Sequence, residues 1–487
     1  MSDHTREAAP VKRANFRTIA LIVASAMFME QLDATVLSTA LPTMARDFGV
    51  SAPSMSIAIT SYLLSLAIFI PASGKVADRF GSRQVFRAAI AVFTIGSILC
   101  AQAPNVPCLV AARLFQGLGG AMMLPVGRLV LMRSVERREM VSAMSWVLVP
   151  ALIGPLLGPP FGGFIVSHFD WRWIFYINVP IGLLGILLVS VFIDDVKGET
   201  AKPFDGVGMV LAGTSLGSLF FGFELTSHPG EANLVISLLS VGLISGIAYV
   251  IHARRADDPI LDLSLMRVPS FGTSLIAGSL TRITQGAQPF LLPLMLQLEF
   301  GLSPAESGSM TVATALGSLL MKPVAPRVLR RFGFRNSLVV LGLVAALGYA
   351  ACAFFRPGWP YSAMFAVLVA SGFFMSFQFT AYNTVAYDKI VPARMSSATS
   401  FYTTFQQLML SVGICVGALA LQASMVVQGH GTPQGIDFSV AFLTVTSISL
   451  LAIVWNLRFA PEAGQDFSGH APRRNAAIEG YDRPKSA

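Results

Sequence analysis

The sequence predicts an all-α polytopic membrane protein with 14 transmembrane helices, built as two six-helix bundles plus two extra central helices. Three observations predict it. Of 487 residues, 54% are hydrophobic and only 12% charged, against about 25% charged in an average soluble chain. The apolar residues fall in blocks of about twenty, the length a helix needs to cross the hydrocarbon of a bilayer. The basic residues are sided: 29 of the 34 Lys and Arg lie on the N-terminal tail and the inner segments, and the outer loops hold only Arg46, Arg172 and Arg356. That bias orients both termini toward the cytoplasm of an inner membrane. It also explains the net charge of +8 without nucleic acid.

Residues 1–16 form a polar cytoplasmic tail. The expected spans are approximately 17–42, 54–73, 85–102, 107–127, 141–166 and 174–193 in an N-terminal bundle of residues 17–193. Residues 194–270 hold two further spans, 206–226 and 233–252, with linkers. The C-terminal bundle, 271–458, follows with spans 271–299, 304–324, 337–355, 360–386, 397–427 and 439–458. From 459 to 487 no apolar face forms, which predicts a disordered cytoplasmic tail. The first apolar block is too long for a cleavable signal peptide and reads as the first span.

The first span carries the chemistry. Glu30 and Asp33 sit near its middle, three residues apart and so on one face. A charge there costs roughly 2.5–3.5 kcal/mol on insertion scales, so each carboxylate needs a partner, a solvated cavity or a proton. Arg113 and Gln116 share a face of span four, and Arg113 lies at a depth from which it could meet Asp33. Either a static pair fixes the packing, or Asp33 loads and releases a proton as its distance from Arg113 changes. Glu30, a turn deeper, faces either a cavity or a neighbouring helix.

Between spans two and three stands the segment Gly74–Arg83, with Gly74, Asp78, Arg79, Gly81 and Arg83. A second Arg-Phe-Gly-x-Arg core at Arg331–Arg335 aligns Gly333 with Gly81, which predicts an internal repeat of the two halves. In span five, Gly154, Gly158 and Gly162 recur every four residues beside Pro155, a bare stripe suited to close packing and a helix suited to bending or sealing. In the second half, Arg282, Gln285 and Gln288 share a broad face of span nine, while Gln378, Tyr382 and Asn383 stud span twelve. Polar contacts between helices account for many such residues. Arg282 has no evident carboxylate at its depth, so it and these polar groups are cavity-lining candidates.

No cofactor, metal or nucleotide site is expected. There is no phosphate-binding Gly-x-x-x-x-Gly-Lys-Ser/Thr, and no His-Glu-x-x-His or other catalytic cluster, which argues against an enzyme. Cys100, Cys108, Cys352 and Cys415 lack metal spacing; Cys100 and Cys108 flank a short outer loop and either pair or stay free thiols packed in helices.

These residues together resemble the major facilitator superfamily, and within it the fourteen-span drug:proton antiporter family. Gly74–Arg83 resembles the inner-loop motif, with Ser82 where a basic residue is usual. Arg113, Gln116 and Gly117 match the fourth-span motif, and Gly154-Pro155 with Gly158 the fifth-span antiporter motif, with Pro150 and Pro159 in place of glycines. Leu32-Asp33-x-Thr35, Ala40-Leu41-Pro42 and the run Trp171–Gly182 resemble signatures of the fourteen-span group. Ala121-Met122-Met123-x-Pro125-Val126-Gly127-Arg128 is similar to an MdtD-type branch. The resemblance implies alternating access by two bundles around a central cavity, driven by protons, exporting small amphipathic molecules across the bilayer as a monomer. It also implies an inner gate in which Asp78 pairs with a basic residue such as Arg128. An organic-anion or metal-chelate exporter on the same scaffold, or a receptor without flux, are the rival expectations.

Overall fold

Hydrocarbon offers a backbone N–H no water to bond, so the apolar blocks fold into helices that satisfy themselves internally. The computed structural model describes residues 15–135, 139–194, 204–225, 232–391 and 394–470; the expected disorder of 1–14 and 471–487 lies outside them. The first half comprises α1 (Phe16–Phe48), α2 (Ser56–Phe80), α3 (Ser82–Ala101), α4 (Val106–Ser134), α5 (Met140–His168), the one-turn α6 (Trp173–Tyr176) and α7 (Asn178–Phe192). A hairpin of α8 (Gly206–Leu225) and α9 (Ala232–Ala253) leads to the second half. That half comprises α10 (Pro269–Leu298), α11 (Pro304–Met321), α12 (Ala325–Ala351), α13 (Tyr361–Val385), α14 (Met395–Gln428) and α15 (Gly435–Asn456), followed by the short α16 (Gln465–Ser468). Among the described residues there is no strand, and eleven helices are long and apolar enough to cross a membrane. Three further long helices, α5, α10 and α11, stand where spans are expected; α10 and α11 are diluted by Ser, Thr, Gln and Gly.

The helices run on where the sequence suggested loops. α1 continues past Pro42 to Phe48 and stops at Gly49, whose φ of 68° closes the helix in the left-handed region. The inner segment from Gly74 is the last part of α2, and the turn into α3 is Gly81 alone, at φ 93°. Gly333, its counterpart in the repeat, interrupts α12 at φ 73°. Both corners require a left-handed backbone that glycine adopts without strain, so the weak sequence repeat is a repeat of backbone geometry.

α5 packs along α1 on the predicted glycine stripe. A Cβ at Gly158 would lie 1.9 Å from Thr35 Oγ1, and one at Gly154 2.8 Å from Gln31 Cβ. The halves meet at the end opposite the termini. There Gly163 of α5 lies against the Pro304 carbonyl of α11 and Gly308 of α11 against the Pro159 carbonyl, each leaving 2.2 Å for an added Cβ. Gln297 Nε2 donates to Thr39 O at 3.0 Å, and the Ala305 N–H donates to Ser167 Oγ at 3.2 Å. One apolar cluster runs through both halves at this end. Toward the termini each half keeps its own cluster, and a third joins Ala72 of α2 to Phe271 of α10 and Phe401 of α14. A cleft opens on the other side, among α1, α5, α10, α11 and α13.

The segment after α9 straps the two halves on the terminal side. Lys75 of α2 pairs with Asp258 at 3.1 Å, and Arg394, before α14, pairs with Asp262 at 2.6 Å. Asp205, just before α8, accepts from the Gly208 and Ile260 N–H groups and lies 2.7 Å from His252 Nε2.

Of the two alternatives for Cys100 and Cys108 the free thiols hold, one buried and one exposed. One expectation is corrected here. Residues 459–470 are ordered against the second half: Phe459 is 3% exposed, the Gly464 N–H donates to Asp388 Oδ2 at 3.1 Å, and His470 Nδ1 lies 3.0 Å from Arg330 O. The sequence hid this because a few side chains filling the Gly333 corner make no periodic apolar face.

Candidate functional site

Asp33 and Arg113 meet inside the first half. The Arg113 Nη1–Asp33 Oδ2 distance is 2.7 Å, with Arg113 0% and Asp33 4% exposed. Gln116, one turn along α4, donates from Nε2 to Asp33 Oδ1 at 3.0 Å and accepts from Arg113 Nη1 at 2.7 Å. Arg113 Nε donates to Ala58 O of α2 at 2.9 Å, and the guanidinium lies 4.6 Å from the Tyr62 ring and 5.7 Å from the Phe175 ring. Close helix approach makes this possible. A Cβ at Gly96 would lie 2.6 Å from Gln116, and one at Gly117 2.5 Å from Ser65.

The structure adds two members that sequence reading did not assign to this site. Asn178, the first residue of α7, donates from Nδ2 to Asp33 Oδ1 at 3.0 Å, and Ser97 of α3 accepts from Gln116 Nε2 at 2.8 Å. An amide inside the apolar run of span six was the available signal for Asn178. Breaking a buried ion pair by removing one partner costs about 3–5 kcal/mol, because the other charge stays buried and uncompensated. The arrangement therefore depends on both charges of the pair.

Glu30 sits one turn away, 9% exposed, with no hydrogen bond among the described residues. Arg128 is exposed, and its charge bears both on Glu30 and on Tyr387 of the second half. Arg128 is not the partner of Asp78. Asp78 Oδ1 pairs with Arg133 Nη2 at 2.6 Å, since both residues lie in the last turns of their helices, whereas Arg128 is about 7.5 Å deeper at 1.5 Å per residue. Arg79 stacks 5.6 Å from the Phe80 ring, Arg83 donates to the Ser190 carbonyl, and Gly74 borders open space.

In the cleft, Gln285 and Pro155 border two adjoining cavities of about 290 and 190 Å³ between the halves, and Gln288 borders the second. Arg282 does not line them. It is 3% exposed, lies 5.4 Å from the Phe379 ring and 5.2 Å from the Tyr402 ring, and donates to Gln406 Oε1 at 3.1 Å. Its Nε has no partner, and no carboxylate bridges it among the described residues. Three other candidates turn away from these cavities. Tyr382 donates to Asn456 Oδ1 at 2.7 Å inside the second-half core, Gln378 packs toward Gly342, and Asn383 bonds back to Phe379 O at 2.7 Å. Residues on one helix face split between a cleft and a helix contact, which periodicity alone does not resolve.

Comparison with known proteins agrees with this architecture. The family model described as Major Facilitator Superfamily matches residues 23–413 and 274–481. The chain is 36% identical to the probable transport protein HsrA of Haemophilus influenzae, covering 91% of this chain and 95% of HsrA. It is 38% identical to MdtD of Enterobacter sp. (strain 638), a protein provisionally named for multidrug resistance, covering 84% of this chain and 86% of that one. Among solved structures, a POT family transporter in complex with 5-aminolevulinic acid superposes with a TM-score of 0.67 at 15% identity, over 91% of this chain and 96% of that one. A D-xylose-proton symporter superposes at 0.64 and 15% identity, over 92% and 98%. At those identities the superpositions speak for the fold.

Proposed function

Because the chain belongs to the major facilitator superfamily, we propose that it is a proton-coupled antiporter that exports small amphipathic compounds by alternating access. The observation that carries this reading is the sealed Asp33–Arg113 pair with its two amide donors. While Asp33 is ionised, every oxygen of the carboxylate has a donor and Arg113 has its counter-charge. A proton on Asp33 removes the negative partner and leaves Arg113 buried and uncompensated, so α1 and α4 move until it is paired or hydrated again. Substrate occupies the cleft while the proton sits behind it in the first half. Loading one site therefore biases the arrangement available to the other. With both termini in the cytoplasm of an inner membrane, the cleft is the cytoplasmic opening and the α5–α11 seam the closed outer gate. A monomer suffices, since both halves come from one chain.

The experiment is efflux from proteoliposomes driven by an imposed pH gradient, with tetraphenylphosphonium and salicylate as probes. Asp33→Asn is expected to abolish gradient-driven efflux while the protein stays inserted and folded. Undiminished efflux would refute the assignment.

A second reading, export of an organic anion, is favoured by one observation. Neither cavity between the halves is lined by a carboxylate, whereas Lys322 borders the larger, and Arg282 lies behind its Phe379 wall. Gradient-driven transport of salicylate without tetraphenylphosphonium selects this reading over the first.

A further inference from the structure

Asn178 is fully buried and makes an unequal use of its amide. Its Nδ2 donates to Asp33 Oδ1 at 3.0 Å and to Ser97 Oγ at 3.2 Å, while its Oδ1 has no partner among the described residues. An unpaired buried acceptor is costly, and a freely turning amide would place its oxygen against a donor. The Ser97 hydroxyl offers none, being spent on Phe93 O at 3.0 Å. Turning would also set the amide oxygen against the Asp33 carboxylate. The charge on Asp33 therefore fixes the amide, at the expense of the amide's own oxygen.

We propose that Asn178 is a positioning residue for coupling, whose N–H sets the proton affinity of Asp33. This rests on reading Asp33 as the proton carrier. The groups facing Asp33 are few. Arg113 and Gln116 approach from α4, Tyr62 of α2 and Cys100 of α3 stand within Coulomb reach, and Glu30 shares its helix. α7 holds no ionisable residue, and α5 none before His168 at its end. Arg113 and Gln116 both belong to α4 and move together. Asn178 is the donor that a shift of α7 withdraws on its own, which raises the affinity of Asp33 for a proton before the ion pair is broken.

The test is the pH dependence of probe transport by reconstituted protein from about pH 5.5 to 9. Asn178→Leu keeps the branched side-chain shape and removes the donor. Its midpoint is expected to rise by about one pH unit, a tenfold gain in proton affinity for one lost bond to a charged group, with probe half-saturation within about twofold of wild type. Ser190→Ala, on the same helix but with its hydroxyl donating to Ile186 O at 2.7 Å away from Asp33, is expected to leave the midpoint in place. Should Asn178→Leu fail to fold, Asn178→Ala is read instead with the same expectation. An unmoved midpoint against a pH-dependent wild type overturns the role of Asn178 alone. A pH-independent wild type, or pH dependence retained in Asp33→Asn, overturns the coupling reading beneath it.

Discussion

Gly308→Ala should pry open the seam between the halves. The added methyl carbon would start 2.2 Å from the Pro159 carbonyl oxygen and 2.8 Å from the Pro159 carbonyl carbon. Ordinary contact begins near 3.4 Å, so α5 and α11 must part by about an ångström, and both obstructing atoms are backbone. Overpacking of this kind costs about 1–3 kcal/mol. That is roughly a 5- to 150-fold shift away from the state closed at this end, at 1.4 kcal/mol per tenfold. Gly163→Ala meets the Pro304 carbonyl in the same way. The two share one seam, so their effects should not add. The assay is disulfide formation between Ser167→Cys and Ala305→Cys, which flank the seam, in a background with Cys108→Ala. Crosslinking should fall at least fivefold on adding Gly308→Ala. Unchanged crosslinking in a folded protein would refute the claim that bare glycine contacts hold this end shut.

Two further outcomes follow from the terminal side. Burial works against the Asp205 carboxylate, yet the Gly208 N–H, His252 and the Ile260 N–H together hold its pKa below the usual carboxylate range. A group depressed in the folded protein contributes stability above its unfolded pKa, about 3.9, and that contribution fades as pH falls through the lower folded value. Asp205→Asn should therefore lower the melting temperature at pH 7 and flatten its decline below about pH 4; an unchanged melting curve would remove Asp205 from the strap. Gly333→Ala should destabilise by about 1 kcal/mol or more, since φ of 73° strains any L side chain and a Cβ would lie 2.7 Å from the His470 ring. Thermal unfolding measures this, and a neutral result would mean the corner adapts freely.

The scaffold was legible because bilayer physics writes long words: span length, sided arginines and a glycine every fourth residue each survive without any contact information. Asp33 and Arg113 could be matched by depth, since both lie in helices whose ends the sequence marks. Their neighbours were harder. Asn178 is one polar residue in an apolar run, and only the crossing of α7 over α3 brings it to Ser97. At Asp78 the resemblance pointed to a basic residue such as Arg128, whereas α4 runs on past the end expected for its span and brings Arg133 to it. Tyr382 and Gln285 look alike in sequence, and rotation of α13 against α10 decides which one meets the cleft.

The contacts of Phe459 to His470 have a consequence for how the protein is made. They complete the bend at Gly333 with residues translated after α15, the last helix among the described residues that is long and apolar enough to cross a membrane. A nascent chain with all its spans already in the bilayer still has that bend unfilled. Insertion and completion are thus separate events. A product halted just beyond Asn456 would hold its spans in place while leaving the Gly333 corner without the His470 ring that covers it.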